Sequence, residues 1–204
     1  MSAAAGAVDL FVHVRIVMGI VVGLGITRLL TGLAALVQNP NRPRISLLHL
    51  LWTLFVLVEL VLFWWWQFAL IEVTHWNFGS FAFVIAYAVT LFLMAALLVP
   101  DKIEEYDGYE HYFLSRRRWF FGAFAVTLVF DLIDTLLKGA AYAGSVGPDY
   151  WIQIPVSLGL VALAVWSSDR RVHLAVVLAQ LCYQAWWIWL LFYTNDCPGI
   201  VGSC

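Results

Sequence analysis

The sequence predicts an all-helical, polytopic membrane protein with six transmembrane helices, and three observations support this fold class. Hydrophobic residues make up 63% of the 204 residues and charged residues 12%, whereas about 25% of the residues of a soluble domain are charged. Apolar segments long enough to cross a bilayer recur along the chain. Basic residues concentrate in alternate connections between those segments. We therefore interpret residues 1–204 as one integral membrane domain surrounded by lipid.

Six segments can each span a hydrocarbon core of about 30 Å. They run approximately over residues 9–37, 46–72, 79–99, 117–138, 149–167 and 171–194. The residues before the first segment include no Lys or Arg. A basic region would precede a signal peptide, so the first segment is expected to be a retained helix.

Positive charge is distributed unequally between the two sets of connections. The connections after the first, third and fifth segments hold eight basic residues, whereas the opposite connections and the tails hold only Lys138. The eight are Arg42, Arg44, Lys102, Arg116, Arg117, Arg118, Arg170 and Arg171. Because cytoplasmic loops carry the excess of Lys and Arg, the sequence predicts a bacterial-type inner-membrane protein with both termini periplasmic. The tryptophan-rich ends of the second and sixth segments, near residues 64–66 and 186–189, then lie at the outer interface, where indole rings prefer to lie.

The first segment contains two features that suggest contacts. Gly19 and Gly23 lie four residues apart, a spacing that lets a second helix approach closely, either within the chain or in a homodimer. Arg28 follows deeper toward the cytoplasm, between Gly25 and Gly32. Its guanidinium is expected either to hold an anionic group, such as a lipid phosphate or a substrate carboxylate, or to extend toward the interface.

The connection between the third and fourth segments predicts a short interfacial helix. Tyr106, Tyr109 and Tyr112 recur every three residues beside charged neighbours. This pattern suits tyrosine rings at headgroup depth, with the following arginines against anionic lipid. The alternative is that loop 101–116 binds a soluble partner protein.

The fourth segment carries a polar stripe through an otherwise apolar helix. Thr127, Asp131, Asp134 and Lys138 are spaced by four, three and four residues, which stacks them on one helical face. A charge that faces hydrocarbon costs at least about 2.5 to 3.5 kcal/mol. The stripe is therefore expected to face protein or water.

Other polar residues are predicted to lie at a similar depth. At a rise of about 1.5 Å per residue, Arg15, Glu59 and Asp131 fall roughly 10 Å inside the outer edge, which predicts that the arginine pairs with both carboxylates. One interpretation is that the pair only holds the bundle together. The other is a pathway for a proton or cation, in which Asp134, Gln180 and Gln184 also take part.

The histidines and cysteines suggest further alternatives. Axial haem ligation by His13, His49, His75 or His173 is conceivable from their positions near the two faces, although no attachment motif accompanies them. Cys197 and Cys204 frame the C-terminal tail, where an oxidising periplasm would allow a disulfide.

The composition and motifs narrow the function class. A net charge of -2 without a separate basic face argues against nucleic acid as a partner. The sequence contains no zinc motif, phosphate-binding glycine loop or nucleophile elbow, which lowers the expectation of an enzyme. The leading hypothesis is a small transporter or channel for protons, cations or a small solute that uses intramembrane carboxylates. The alternatives are a structural or accessory membrane subunit and, third, a haem-binding or redox membrane protein.

Overall fold

The computed structural model describes the backbone of residues 2–38, 45–73 and 76–193, and the side chains of residues 11–38, 45–71, 73 and 76–190. His75, Cys197 and Cys204 lie outside these ranges, and so do the predictions that concern them. The described residues form seven α-helices: α1 Ser2–Gln38, α2 Leu47–Trp66, α3 Phe78–Leu98, α4 Tyr109–Leu137, α5 Ala140–Ser145, α6 Pro148–Trp166 and α7 Arg170–Tyr193. Two short 3-10 segments, Gln67–Glu72 and Ile103–Glu105, follow α2 and α3.

Six of these helices are long and apolar enough to cross a membrane, which is consistent with a multi-pass membrane protein. The exception among the described helices is α5, a six-residue helix that the sequence did not predict. The second predicted span ends in the 3-10 segment Gln67–Glu72, and the fourth starts earlier than predicted, at Tyr109. In the connection that was predicted to form a short interfacial helix, one 3-10 segment, Ile103–Glu105, precedes the start of α4 at Tyr109. The position of these residues relative to a membrane interface stays a prediction.

Local sequence explains where α3 begins and α4 ends. The Asn77 side chain accepts a hydrogen bond from the backbone N–H of Ser80 at 2.9 Å, which caps the first turn of α3. Helix α4 ends at Leu137 with Lys138 as its C-cap, and Gly139 follows with a φ of 102°. Glycine adopts this left-handed conformation without the steric cost of a Cβ atom, so the chain can turn directly into α5.

Helix α1 packs mainly against α3 and also against α2. Two of its glycines lie close to side chains of these neighbours. A Cβ atom at Gly25 would lie 3.2 Å from Leu60, and one at Gly32 would lie 2.8 Å from Val99. Gly19 and Gly23, the pair whose spacing predicted a close helix contact, lie less close to their neighbours. A Cβ at Gly19 would meet only ordinary contact with Trp64, and one at Gly23 would meet no described atom within 4 Å. The close contact is therefore at Gly25 and Gly32, which lie seven residues apart on one face, whereas the homodimer inferred from Gly19 and Gly23 stays a prediction.

The two ends of the bundle differ in composition. We call the end that contains Trp66 and Trp187 the tryptophan end and the opposite end the arginine end. At the arginine end, the Glu110 carboxylate receives a hydrogen bond from Ser46 at 3.0 Å and pairs with Arg170 at 3.2 Å. These contacts join the starts of α2, α4 and α7.

The core next to the arginine end consists of aromatic rings around Trp52. The Trp52 side chain is fully buried, and five phenylalanine rings lie with their centroids 5.1 to 6.1 Å from its own. They belong to Phe55, Phe113, Phe120, Phe121 and Phe124. Most of these pairs meet edge to face, the arrangement that aromatic quadrupoles prefer. This aromatic packing fills the half of the bundle nearer the arginine end, and the polar half lies beyond it.

Candidate functional site

A cavity of about 90 Å³ lies in the half of the bundle nearer the tryptophan end, with room for several water molecules. Residues of α2, α4, α6 and α7 line it, together with Tyr87 of α3. Phe55 and Phe124, which also belong to the Trp52 cluster, form its floor, and Trp66 and Trp187 line its far end. The cavity therefore begins where the aromatic packing stops.

Helix α4 contributes its whole polar stripe to the cavity wall. Thr127, Asp131, Asp134 and Lys138 all line the cavity, and the apolar side chains of Val126, Val129 and Ile133 are exposed on the opposite side of the helix. This division follows from the spacing of three and four residues, which keeps the polar side chains on one face. In a bilayer the exposed apolar side chains would meet lipid, and the stripe would avoid it.

Asp134 and Lys138 form a buried ion pair at the mouth of the cavity. The Lys138 Nζ lies 2.6 Å from Asp134 Oδ2, and the side chains of both residues are at most 4% exposed. Gln67 donates a longer hydrogen bond, at 3.4 Å, to the same carboxylate oxygen. The Lys138 ammonium also lies 5.1 Å from the centre of the Tyr142 ring, within range of a cation–π interaction. Burial raises the pKa of the Tyr142 phenol, so this ring stays neutral.

Glu59 of α2 and Gln184 of α7 are joined across the cavity. Gln184 Nε2 donates to Glu59 Oε2 at 2.7 Å and to the backbone carbonyl of Phe55 at 3.3 Å. Both partners are acceptors, so the nitrogen of this amide must point toward them, and its oxygen must point away. That oxygen is buried and has no hydrogen-bond partner among the described residues.

Asp131 lies between two tyrosines. The Tyr150 hydroxyl donates to the backbone carbonyl of Asp131 at 3.2 Å and lies 2.7 Å from the Thr135 hydroxyl. The hydroxyls of Tyr87 and Tyr150 both neighbour the Asp131 carboxylate. Asp131 and Glu59 are half-buried and close enough to interact electrostatically. Neither of them forms an ion pair within the described part of the chain.

A neutral hydrogen-bond network closes the side formed by α6 and α7. Gln180 Nε2 donates to Ser157 Oγ at 3.0 Å, and Gln153 donates to the same hydroxyl at 3.0 Å. The Ser157 hydroxyl in turn donates to Gln180 Oε1 at 3.3 Å. Both polar atoms of the Gln180 amide are therefore occupied, in contrast to those of Gln184.

Arg15 does not join the carboxylates, contrary to the predicted pairing. Its guanidinium carbon lies 3.8 Å from the centre of the Phe68 ring and 5.1 Å from that of Trp64, a cation–π arrangement. The prediction considered depth along the helix but not which way each helix faces. Because α1 packs on α3 and α2, its side chains meet the outer surface of α2 and do not line the cavity.

Arg28 also has a partner from within the chain. It pairs with the Asp101 carboxylate and donates to the backbone carbonyl of Val99 at 2.9 Å. A second cavity of about 190 Å³ adjoins this pair at the arginine end, and His49 lies on its wall. Arg28 thus pairs with a carboxylate of the protein itself, and the predicted contact with a lipid phosphate or a substrate carboxylate stays a prediction.

The described histidines are engaged in different ways. The His49 Nε2 lies 2.6 Å from the Leu98 carbonyl, and the His173 Nε2 lies 3.1 Å from the Ser167 carbonyl. The His173 ring also stacks on Phe121 at 5.4 Å, whereas the His13 side chain is exposed. Each buried histidine thus uses its Nε2 for a backbone contact, the atom that commonly binds a metal.

The sequence analysis did not identify several polar residues of the cavity, among them Gln67, Tyr87 and Tyr150. Gln67 follows the tryptophan cluster eight residues after Glu59, a spacing that returns to the same side of a helix. Tyr87 is the one ionisable side chain of the third span, and Tyr150 begins a polar series at three- and four-residue spacing on α6. The signal was present in each case, but tyrosine is also common at membrane interfaces.

No family model, curated protein or solved structure matches this chain. The geometry of the cavity alone therefore indicates its chemistry. Three carboxylates line it, and Lys138 is the single Lys or Arg among the lining residues that the structure describes. Amides, hydroxyls and aromatic rings complete the wall, a composition that suits a cation or a proton better than an anion.

Proposed function

We propose that this protein is a small membrane transporter or channel that carries protons or small cations through the cavity between α2, α4, α6 and α7. One observation carries the proposal: Glu59 and Asp131 face a space large enough for water, inside spanning segments, and no described cation neutralises either of them. Carboxylates in such positions are costly in a membrane and typically mark ion pathways or proton relays. A purely structural role would be served better by a matched ion pair, such as the one between Asp134 and Lys138.

Flux measurements on purified protein in liposomes test this proposal. We expect wild-type protein to conduct protons or an alkali cation, and we expect Glu59→Gln and Asp131→Asn to reduce that flux strongly. Both changes keep the side-chain shape and remove the negative charge. Glu104→Gln is the matched control, because the Glu104 side chain is exposed in the connection before α4 and does not line the cavity.

Thermal stability in detergent, measured on the same preparations, separates the two main hypotheses. A transporter should yield folded variants with reduced flux. An accessory or structural protein should yield no flux in the wild type and a loss of stability in the variants. Normal flux in well-folded Glu59→Gln and Asp131→Asn proteins would refute the transport proposal.

The proposed orientation places the tryptophan end and both termini outside the cytoplasm, and it is supported by the eight basic residues in the opposite connections. The arginine end, including the first turns of α4 with Tyr109 and Tyr112, would then lie in the inner interface. Single cysteines test this in a background without the natural ones. Gly144→Cys should react with an impermeant thiol reagent in intact cells, whereas Glu104→Cys and Ser168→Cys should be protected. The reverse pattern would invert the orientation.

A further inference from the structure

We infer that the cavity binds a small organic cation that carries N–H groups, such as an alkylammonium or guanidinium ion. This inference rests on the proposed function and names the substrate class of the same site. Three features of the wall carry it: unpartnered acceptor atoms, an excess of negative charge and aromatic rings.

The acceptors are the most specific feature. Gln67 Oε1, Asp134 Oδ1 and Gln184 Oε1 are buried, belong to residues on the cavity wall, and make no hydrogen bond to any described residue. Each of the three residues is at most 6% exposed. Leaving such a buried acceptor unsatisfied costs about 1 to 3 kcal/mol. A hydrogen-bond donor in the cavity, either water or a cation that carries N–H groups, would remove this cost.

The hydrogen-bond partners of Gln67 and Gln184 determine which atom of each side-chain amide is the nitrogen. Gln67 Nε2 donates to the Asp134 carboxylate, and Gln184 Nε2 donates to the Glu59 carboxylate. The Asp134 carboxylate is paired with Lys138, and Gln184 Nε2 also donates to the backbone carbonyl of Phe55. Rotating either amide would therefore place its oxygen against another acceptor. The free atoms are therefore oxygens. An occupant must present N–H or O–H groups to them.

Lys138 illustrates how this wall holds such a group. Its ammonium contacts the Asp134 carboxylate at 2.6 Å and lies over the Tyr142 ring at 5.1 Å. The remaining carboxylates, Glu59 and Asp131, have tyrosine rings nearby but no cation of their own. A ligand with the chemistry of a lysine or arginine head group would complete the same arrangement at these carboxylates. An alkali cation would satisfy the charge but would gain less from the aromatic rings.

Uptake by liposomes containing the full-length protein tests the inference with two permanent cations. Guanidinium carries N–H donors on all three of its nitrogens, as the arginine head group does on its own. Tetramethylammonium carries no N–H group. We expect radiolabelled guanidinium to enter at least about tenfold faster than tetramethylammonium, because donors to buried acceptors separate the two ions. Excess unlabelled guanidinium should inhibit the uptake.

Two glutamine variants relate the preference to the acceptor atoms. Gln67→Met removes an unpartnered oxygen, so the ratio of guanidinium to tetramethylammonium uptake should fall by about threefold to tenfold. Gln38→Met is the matched control, because the Gln38 side chain is exposed at the end of α1 and does not line the cavity. Its ratio should stay at the wild-type value. Because the readout is a ratio within one preparation, a partial loss of folded protein does not imitate the effect.

The outcomes separate the substrate class from the function. If protons or sodium ions cross in a manner that depends on Glu59 and Asp131, but guanidinium is not preferred over tetramethylammonium, the substrate class is overturned and the proposed function stands. An unchanged ratio in Gln67→Met overturns the assignment of the acceptors. If no cation crosses the wild-type protein, both the function and the substrate class are refuted.

Discussion

The two halves of the bundle use the same helices but are built differently. Helix α4 shows this along one inward face, at positions that follow each other at seven-, four- and three-residue intervals. The positions are Phe113, Phe120, Phe124, Thr127, Asp131, Asp134 and Lys138. The first three pack among the rings around Trp52. The last four line the cavity.

This difference shows that one periodic face can serve two purposes. In the half with Trp52, ring-to-ring contacts fill the space between the helices. In the other half, polar groups of unequal size leave a space that their own hydrogen bonds do not close. The same helices run through both halves, and the cavity begins where their inward side chains change from aromatic rings to polar groups. Changes on either side of the boundary should therefore have different consequences.

The largest effect on stability is expected from breaking the buried pair of Asp134 and Lys138. Lys138→Met leaves the Asp134 carboxylate buried without its cation, which should lower the free energy of unfolding by about 3 to 5 kcal/mol. The double variant Asp134→Leu with Lys138→Met should recover most of this loss, because no uncompensated charge then remains. Chemical denaturation in detergent measures both. If Lys138→Met alone is neutral, the pair is not buried as described.

A somewhat smaller loss is expected from the aromatic half. Trp52→Ala removes the ring at the centre of five phenylalanines and should cost about 3 kcal/mol, since packing is the main force between helices in lipid. Trp52→Phe is the matched control. It keeps a ring in the cluster and removes an indole N–H that has no hydrogen-bond partner among the described residues, so it should cost clearly less. The surviving folded protein should keep its cation selectivity, whereas an altered selectivity would mean that the halves are not separate.

Smaller losses should distinguish charged from neutral hydrogen bonds within the cavity. Gln184→Leu removes the donor to the Glu59 carboxylate, a bond to a charged group that is worth about 1.5 to 3 kcal/mol. Gln180→Leu removes only contacts with the Ser157 hydroxyl and should cost about 0.6 kcal/mol. Denaturation of the two variants under one set of conditions gives the comparison. Equal losses would indicate that Glu59 is protonated in the folded protein.

The sequence predicted the helices better than it predicted the site. Length and apolar composition defined the six spans, and the spacing of Thr127, Asp131, Asp134 and Lys138 placed them correctly on one face. The direction in which each helix faces was not predictable from a rise per residue. Arg15 was expected beside Glu59 but contacts Phe68 and Trp64, because pairing depends on how α1 packs across the bundle.

The glycine contacts within the chain show the same limit. The spacing of Gly19 and Gly23 is typical of close helix packing, but the close contacts within the described part of the chain lie at Gly25 and Gly32, where α1 meets Leu60 and Val99. Gln67 and Tyr150 were missed because a single polar residue near the end of a span is as typical of the membrane interface as of a cavity. Long-range packing was therefore the information that the local pattern lacked.

The smallest effect is expected at the boundary itself, where Thr127 follows Phe124. The Thr127 hydroxyl donates to the Phe124 carbonyl of its own helix at 2.7 Å, and its only other polar contact among the described residues is a weak one with the Met94 sulfur. Thr127→Val keeps the branched shape and should change the free energy of unfolding by less than about 1 kcal/mol.

The same variant tests whether the hydroxyl belongs to the conducting part of the cavity. If the carboxylates above it set the polar region, flux through Thr127→Val should stay within about twofold of wild type, since a hydrogen bond held within one helix contributes little to an ion. Ser157→Ala is a useful comparison, because the Ser157 hydroxyl joins α6 to α7 through Gln180. Its loss should lower the free energy of unfolding more than Thr127→Val does. A large loss of flux in a stable Thr127→Val protein would move the boundary one turn toward Trp52 and make the floor of the cavity part of the pathway.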